Sequence, residues 1–198
     1  MARTIAKDHD NKRLLILTVA AEMFATQGIA RASMSQLATA CGMSKANIYH
    51  YYDSKDALLF DILDNYLSVL RNRLLALPLD WSSPDDSLRM IIRETLMAYD
   101  GMDHEHKIQT EGLPLLNAAQ QQVLKGYQRD MVGLLSDVIA QTAPATLADD
   151  PVKLRATTMS VFGMLNWFYM WNGHADQSAR EDYANLVTDL TIAGARGL

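Results

Sequence analysis

The chain has 198 residues, 49% of them hydrophobic and 21% charged, with a formal net charge of −5. This apolar content excludes a disordered or collagen-like chain, and the single cysteine, Cys41, excludes a disulfide framework or a Cys-rich zinc site. The apolar runs are too short for a membrane span. A chain of this length suits one sizeable domain, or a small one fused to a larger one.

The N-terminal segment needs a separate interpretation, because Lys12 and Arg13 precede an apolar stretch, as they would in a secretory signal. Asp8, Asp10 and Glu22 flank that stretch, however, and no clear small-residue cleavage site follows it. We therefore interpret it as part of a helix and predict a cytoplasmic protein.

Charge is distributed unevenly along the chain. Residues 1–56 carry seven basic and five acidic side chains, whereas residues 57–198 carry eleven basic and eighteen acidic ones. An acidic protein can bind DNA only where its bases are presented together on one surface. The asymmetry is compatible with DNA binding by the N-terminal segment alone.

The first predicted element is a helix that precedes Gly28. Leu14, Leu17, Ala21 and Phe24 recur at steps of three and four, which is the spacing of one helix face. Glycine is a natural C-terminal stop for such a helix.

A short helix is predicted next, beginning at Ser33 or Ser35, either of which can cap it. Gly42 follows where the chain must reverse, since glycine enters the left-handed region without a steric cost. The buried face of this helix is predicted to consist of four residues: Met34, Leu37, Ala38 and Cys41.

A second short helix is predicted to begin after Ser44, with Ile48 and Tyr52 facing inward. Ala38, Gly42 and Ile48 are spaced by four and six residues. This spacing suits a helix-turn-helix, with a small residue at the crossing, a glycine in the turn and an apolar anchor in the second helix. An ordinary αα-hairpin can have the same spacing, so on spacing alone both alternatives stay open.

The exposed face of the second short helix favours the helix-turn-helix. Its amine, amide, imidazole and phenol groups suit base edges and phosphates better than they suit a simple solvated surface. Lys55 lies in the first turn of the next helix, where a cation opposes the helix dipole unless a phosphate is its neighbour. The residues of this face are Lys45, Asn47, Tyr49, His50 and Tyr51.

The rest of the chain predicts long helices. The first ends at Pro78, and the others span roughly 84–100, 115–142, 150–172 and 177–196. No segment alternates apolar and polar residues as a strand does, so we predict an all-α protein. The stripe of the first long helix is Leu59, Ile62, Tyr66, Leu70, Leu74 and Leu77.

The motif residues are similar to the DNA-binding signature of the TetR family of transcriptional regulators, over roughly residues 10–60. Ala46 stands where the family frequently has glycine, and Tyr51 where it often has histidine. The similarity rests on the following runs: Phe24-Ala25-Thr26-Gln27-Gly28, Leu37-Ala38, Gly42-Met43-Ser44-Lys45, Ile48-Tyr49, Tyr51-Tyr52 and Ser54-Lys55-Asp56.

This resemblance implies a homodimer with about nine helices per subunit. Residues 1–56 would form a three-helix DNA-binding head that reads one half-site, and residues 57–198 a body for effector binding and dimerisation. Base contacts would fall to Lys45, Asn47, Tyr49 and His50. Phosphate contacts would fall to Ser33, Ser44, Tyr51 and Lys55.

The run 161–171 is the densest aromatic cluster of the chain and is apolar on every side, which predicts burial on every side. The family implies burial against a partner subunit, and the helix at 177–196 carries a matching stripe. One face could also line an effector pocket. The stripe is Tyr183, Val187, Leu190 and Gly194, and the predicted pocket residues are Met97, Met131, Met164, Asn166, Trp167, Phe168 and Trp171.

The effector is predicted to be a flat or acyl apolar molecule, because the acidic surplus of the body disfavours anionic ligands. The same aromatic run is similar to a stretch in TetR regulators that respond to acyl-CoA thioesters. A CoA ester would need cations near the pocket mouth, for which the candidates are Arg89, Arg93, Lys125 and Arg129.

The cluster 103–106 contains two acids and two histidines, which are residue types that bind zinc. Histidines two positions apart point to different faces of a helix, so a solvated loop or helix start is the better interpretation. We predict no metal and no cofactor. Motifs for nucleophilic catalysis and nucleotide binding are absent from the sequence, and we predict no enzymatic activity.

Together these features predict a ligand-responsive transcriptional repressor that binds a palindromic operator as a homodimer. Its partners would be double-stranded DNA, a second copy of itself and a small-molecule effector, with no membrane. Two alternatives stay open. One is a DNA-binding dimer without small-molecule control, and the other is an all-α enzyme or carrier that contains a similar hairpin.

Overall fold

The computed structural model describes residues 2–198, with side chains from His9 onward. These residues form ten α-helices, one 3-10 turn and no strand, which confirms the all-α prediction. The helices are α1 (Ala2–Gln27), α2 (Met34–Ala40), α3 (Lys45–Tyr51), α4 (Lys55–Leu75), α5 (Pro84–Ala98), α6 (Asp103–Gly112), α7 (Ala118–Thr142), α8 (Ala145–Ala148), α9 (Pro151–Trp171) and α10 (Gln177–Arg196), with the 3-10 turn at Leu113–Leu115.

Local capping sets where the later helices begin. Pro151 occupies the first turn of α9, and the Asp150 side chain accepts hydrogen bonds from the next backbone amides. Asp176 caps α10 in the same way, at 2.8 Å from the amide of Ala179. The number of helices exceeds nine by one, and the shortest of them is α8, a single four-residue turn after Pro144.

Contacts divide the chain into two compact units. The N-terminal unit contains the described residues up to Leu67 together with His104–Leu124. Its core includes the fully buried Leu58, Leu59 and Leu63 on α4. Gly112 at the end of α6 allows close packing, because a Cβ there would lie 3.0 Å from Leu59 Cδ1.

The second unit contains Ser68–Asp103 and Lys125–Leu198, and α10 packs along α5 within it. The two helices run antiparallel, since Arg89 of α5 pairs with Asp189 of α10 and Arg93 with Glu181. Their contact surface buries Leu88, Ile91, Ile92 and Leu96 on α5, and Ala184, Val187 and Thr191 on α10.

Three expectations about buried faces were wrong in detail. Leu14 is 51% exposed, although Leu17, Ala21 and Phe24 of the same predicted stripe are buried, together with Ile16 and Ala20. Cys41 is only half-buried, since it lies at the C-cap of α2 and outside its packed face. Val187 is fully buried against α5 and therefore does not belong to an exposed stripe of α10.

The run 161–171 is also not buried on every side. Val161, Leu165 and Phe168 are buried within the unit, but Trp167 is 61% exposed and Trp171 58% exposed.

No helix within residues 2–198 combines the length and the apolar character that a membrane crossing requires.

Candidate nucleic-acid interface and effector-binding unit

The α2–α3 segment folds as the sequence predicts for a helix-turn-helix. Ser33 caps α2 through a reciprocal pair of bonds, in which its hydroxyl accepts from the Gln36 amide and its own amide donates to the Gln36 side chain at 2.9 Å. Gly42 has a φ of +64°, where a side chain would be strained. The chain therefore reverses at the predicted residue, and Ser33 rather than Ser35 forms the cap.

Helix α3 is held in place from its start and from its inner face. The Ser44 hydroxyl accepts a hydrogen bond from the Asn47 amide at 3.1 Å, and Ile48 is fully buried. Tyr52, at the C-cap, is 7% exposed. A seven-residue helix is too short to be stable alone, so this packing fixes its orientation.

The outer face of α3 carries the predicted base-contacting residues. Lys45, Tyr49 and His50 are exposed, and Asn47 is half-buried. The Lys45 ammonium lies 5.8 Å from the centre of the Tyr49 ring, a cation–π distance. An amine, a phenol and an imidazole therefore share one exposed surface that can donate hydrogen bonds to base edges.

Tyr51, a predicted phosphate contact, packs against two histidines. Its ring stacks on His9 of α1 with centroids 4.7 Å apart, and meets the His50 ring edge-on at 5.8 Å. These contacts limit the rotation of the phenol and link α1 to α3. The other predicted phosphate contacts, Ser33 and Ser44, are exposed at the N-caps of α2 and α3.

Lys55 has a structural role that the sequence did not reveal. Its ammonium donates to three backbone carbonyls between α1 and α2, those of Ile29 at 2.7 Å, Ala30 at 3.2 Å and Ala32 at 3.3 Å. This cluster of carbonyl oxygens explains the cation in the first turn of α4 without a phosphate. A phosphate contact by Lys55 stays a prediction.

A partly buried ionic cluster that sequence analysis missed ties α1, α3 and α4 together. Arg13 donates to both oxygens of Asp61, at 3.0 and 2.5 Å, and the Tyr52 phenol donates to the same carboxylate. Burial and the nearby Asp61 raise the pKa of Tyr52 well above its ordinary range. Arg13 and Asp61 are 48 positions apart, so no local spacing indicates the pair.

Comparison with known proteins agrees with this geometry. The family model for bacterial regulatory proteins of the tetR family matches residues 16–62, and that for the tetracyclin repressor-like C-terminal domain matches residues 82–195. The chain belongs to the TetR family. It is a DNA-binding transcriptional repressor of that family, whose members are regulators and not enzymes.

Individual TetR-family proteins match over nearly their whole length. The HTH-type transcriptional repressor NicS of Pseudomonas putida is 27% identical over 206 residues, covering 96% of this chain and 95% of NicS. The crystal structure of a TetR-family regulator from Bordetella parapertussis has a TM-score of 0.78 and 30% identity, and the match covers 90% of this chain and 93% of that one. The crystal structure of AibR in complex with isovaleryl coenzyme A and operator DNA has a TM-score of 0.72 and 23% identity, and the match covers 91% of this chain and 98% of that one.

In the second unit of this TetR-family protein, the predicted effector residues have three kinds of environment. Met131 and Phe168 are buried, Trp167 and Trp171 are exposed, and the rest are half-buried. Phe168 and Trp171 meet edge-on, with centroids 5.0 Å apart. The half-buried residues are Met97, Met164 and Asn166, the last of which accepts a hydrogen bond from Tyr99 at 2.7 Å.

A buried arginine that sequence analysis did not select lies beside this aromatic pair. Arg180 of α10 is 4% exposed, and its guanidinium carbon lies 5.7 Å from the centre of the Phe168 ring. The helical phase of Ala184, Val187 and Thr191 places position 180 on the buried face. The helix phase therefore predicts burial at position 180, although arginine is mostly exposed in folded proteins.

The four cations considered for a CoA ester differ in their surroundings. Arg89 pairs with Asp189, and Arg93 with Glu181, both across the α5–α10 contact. Lys125 and Arg129 are exposed on α7. Arg89 and Arg93 are therefore engaged in ion pairs that join helices.

The cluster 103–106 lies at the start of α6, in agreement with the expectation of a solvated loop or a helix start. His106 Nδ1 lies 2.9 Å from the hydroxyl of Tyr66 on α4. Within the part of the chain that the structure describes, no three His, Cys, Asp or Glu side chains are grouped as a metal site requires.

Proposed function

We propose that this TetR-family repressor acts as a ligand-responsive homodimer on a palindromic operator in the cytoplasm. Residues 1–56 would be the DNA-binding domain and residues 57–198 the effector-binding and dimerisation domain. The observation that carries the proposal is the outer face of α3, where Lys45, Tyr49 and His50 are exposed on a capped and packed helix.

The DNA contacts follow from the chemistry of that face. Base edges would be read by Lys45, Asn47, Tyr49 and His50, because amide, amine and imidazole groups match the donor and acceptor pattern of the major groove. Phosphates would be held by the N-cap hydroxyls of Ser33 and Ser44, since helix N-termini favour anions, and by the side chains of Tyr51 and Lys55.

An exposed apolar surface on α9 and α10 supports the homodimer. A monomeric protein rarely leaves so many large apolar side chains in water, and small residues beside them allow two helices to approach closely. On α9 the surface consists of Val152, Met159, Gly163, Trp167 and Met170, and on α10 of Leu186, Leu190, Ala193 and Gly194.

A twofold dimer explains why the operator would be palindromic. Each subunit would insert α3 into a major groove, and the two half-sites would lie about 34–36 Å apart on one face of the DNA. Sedimentation should therefore give a dimer at micromolar concentration. A monomer under those conditions would contradict this part of the proposal.

Ligand control is supported by the body and by a structural neighbour. The effector would be an apolar or acyl-CoA-type molecule in contact with Met97, Met131, Met164, Asn166, Trp167, Phe168 and Trp171. AibR, which shares this fold, has been crystallised with isovaleryl coenzyme A. A ligand that prefers one arrangement of the subunits would change operator affinity by its differential binding energy.

The test is a binding titration with operator DNA selected from a random pool. Affinity for the selected duplex should fall steeply with salt, because phosphate contacts release counterions. Asn47→Ala should relax base preference by about 1–3 kcal/mol. Lys45→Ala should weaken binding, whereas Lys107→Ala, which removes an exposed lysine of α6, serves as the matched control. Equal affinities of both lysine variants would overturn the assignment of α3.

A further inference from the structure

The guanidinium of Arg180 is buried but incompletely paired. Its Nη2 lies 3.2 Å from Asp100 Oδ1, and its Nη1 donates to the Leu96 carbonyl at 3.3 Å. Both distances are at or beyond the long end of the hydrogen-bond range. Its Nε is buried and has no hydrogen-bond partner among the described residues.

Such an arrangement needs a cause, because burying a charge costs several kcal/mol unless the charge is paired. The C-terminal end of α5 compensates part of it, since the Leu96 carbonyl belongs to the last turn of that helix. The Asp100 carboxylate compensates less than a buried partner would, because its side chain is 70% exposed. Part of the hydrogen-bonding capacity of the guanidinium is therefore unused.

The under-used donors of the Arg180 guanidinium have a defined geometry. Nε and Nη2 of an arginine point the same way and together hold both oxygens of one carboxylate. Among the residues whose side chains are described, Arg180 Nε has no partner, and Nη2 has a single long contact to Asp100. A second carboxylate that entered past the exposed Asp100 side chain could occupy both donors.

The surroundings of the guanidinium are aromatic. Phe168 lies under it, Tyr183 stacks on Phe168 with centroids 4.7 Å apart, and Trp171 meets both rings edge-on. A ligand bound here would therefore place a carboxylate on the cation and an apolar body against aromatic side chains.

We propose that Arg180 is the anchor for an effector that is a free organic acid, with one carboxylate and an aromatic or aliphatic body. This inference rests on the ligand control proposed above and names its chemical class. It also revises the expectation that the acidic surplus of the body disfavours anions, because a single buried cation outweighs distant surface charges in water.

The test compares acids with uncharged ligands of the same shape. Benzoate, hexanoate and octanoate should each raise the melting temperature and change operator affinity, whereas benzamide, hexanamide and octanamide should do neither. Hexanoyl-CoA should bind more weakly than hexanoate, because a thioester has no carboxylate for the fork. If none of the acids binds, or if amides bind as well as acids, the proposal is overturned.

Variants of Arg180 separate an anchor from a structural residue. Arg180→Met, of similar volume, should reduce acid affinity at least about tenfold while the unliganded protein stays as stable as before or becomes more stable. Arg196 lies on the same helix as Arg180 and pairs with Asp85 of α5, so Arg196→Met is a matched control and should leave acid affinity unchanged. A large loss of stability in Arg180→Met with unchanged acid affinity would make Arg180 structural.

Asp100→Asn tests the site without touching Arg180. Removing the competing carboxylate should raise acid affinity, and a decrease would contradict the proposed path past Asp100. The outcomes also distinguish the two proposals. Binding of CoA esters alone would leave ligand control intact and overturn the acid anchor, whereas the absence of any ligand effect on DNA binding would remove both and leave an unregulated DNA-binding dimer.

Discussion

The N-terminal unit and the second unit treat their polar groups differently. Around α3, the Ser44 hydroxyl, the Lys55 ammonium and the Asp61 carboxylate all have close partners within the unit. In the second unit, one donor of the Arg180 guanidinium has no partner within the described part of the chain, and Trp167 is 61% exposed. A unit that reads DNA must hold its reading helix rigidly, whereas the ligand and the second subunit proposed for the other unit would need available surface.

The largest difference should appear when a side chain is truncated in each unit. Ile48→Ala removes a fully buried anchor of α3 and should lower the free energy of unfolding by about 3 kcal/mol. Trp167→Ala removes a larger side chain from an exposed position and should change that free energy by less than about 0.5 kcal/mol when the protein is dilute. Denaturant unfolding measures both.

The same pair of variants should behave oppositely in sedimentation. Trp167→Ala should weaken the proposed dimer, because an exposed aromatic side chain that an interface covers can carry much of its energy. Ile48→Ala should leave the sedimentation coefficient of the folded protein unchanged. If Trp167→Ala unfolds the dilute protein instead, its ring stabilises the fold and the contrast between the units fails.

A second, smaller effect should come from the ionic cluster of the N-terminal unit. Asp61→Asn removes the negative charge that Arg13 and Tyr52 share and should destabilise the fold by about 2 kcal/mol. DNA affinity should fall as well, since Tyr52 ends α3 and the cluster holds that end in place. Asp56→Asn, at an exposed position of the same helix, is the control. An unchanged melting temperature would contradict the role of the cluster.

Alkaline pH should distinguish tyrosines in the two units. Burial raises the pKa of both Tyr52 and Tyr99, and a hydrogen bond to Asp61 raises that of Tyr52 further. The folded state keeps these phenols neutral. Their contribution to the free energy of unfolding is therefore fully present below about pH 10, the ordinary tyrosine pKa, and is lost as the pH rises above it.

Phenylalanine variants reveal each contribution. Tyr52→Phe and Tyr99→Phe should each lose less stability than the wild type between about pH 8 and pH 11, measured by thermal unfolding. Asp61→Asn should reduce the pH dependence due to Tyr52 and leave that of Tyr99 unchanged. Identical alkaline profiles for all of these proteins would show that neither phenol is coupled to folding.

The features that sequence reasoning predicted are those with local causes. The caps at Ser33 and Ser44, the turn at Gly42 and the inward Ile48 each depend on a few neighbouring residues, and the structure contains all of them. Of the predicted stripe of α1, Leu17, Ala21 and Phe24 are buried and Leu14 is not, because apolar spacing does not show where packing along a helix begins.

Features with distant causes could not be predicted in the same way. Arg13 meets Asp61 only after the unit has folded, and Lys55 finds its carbonyl partners 23–26 positions away. Arg180 is an intermediate case, because its burial follows from the phase of α10 whereas its partners on α5 do not.

The smallest effect on stability, at Ser44, separates two roles of one hydroxyl. Ser44→Ala should cost about 1 kcal/mol, since it removes the acceptor for the Asn47 amide at the start of α3. Ser44→Asp should keep the cap, because aspartate caps as well as serine does. The added negative charge would nevertheless face the proposed phosphate and weaken DNA binding at every sequence alike. Thermal unfolding and DNA titration of the two variants should therefore rank them in opposite orders. If Ser44→Asp binds DNA as tightly as the wild type, no phosphate lies at this N-cap, and α3 approaches DNA by another part of its surface.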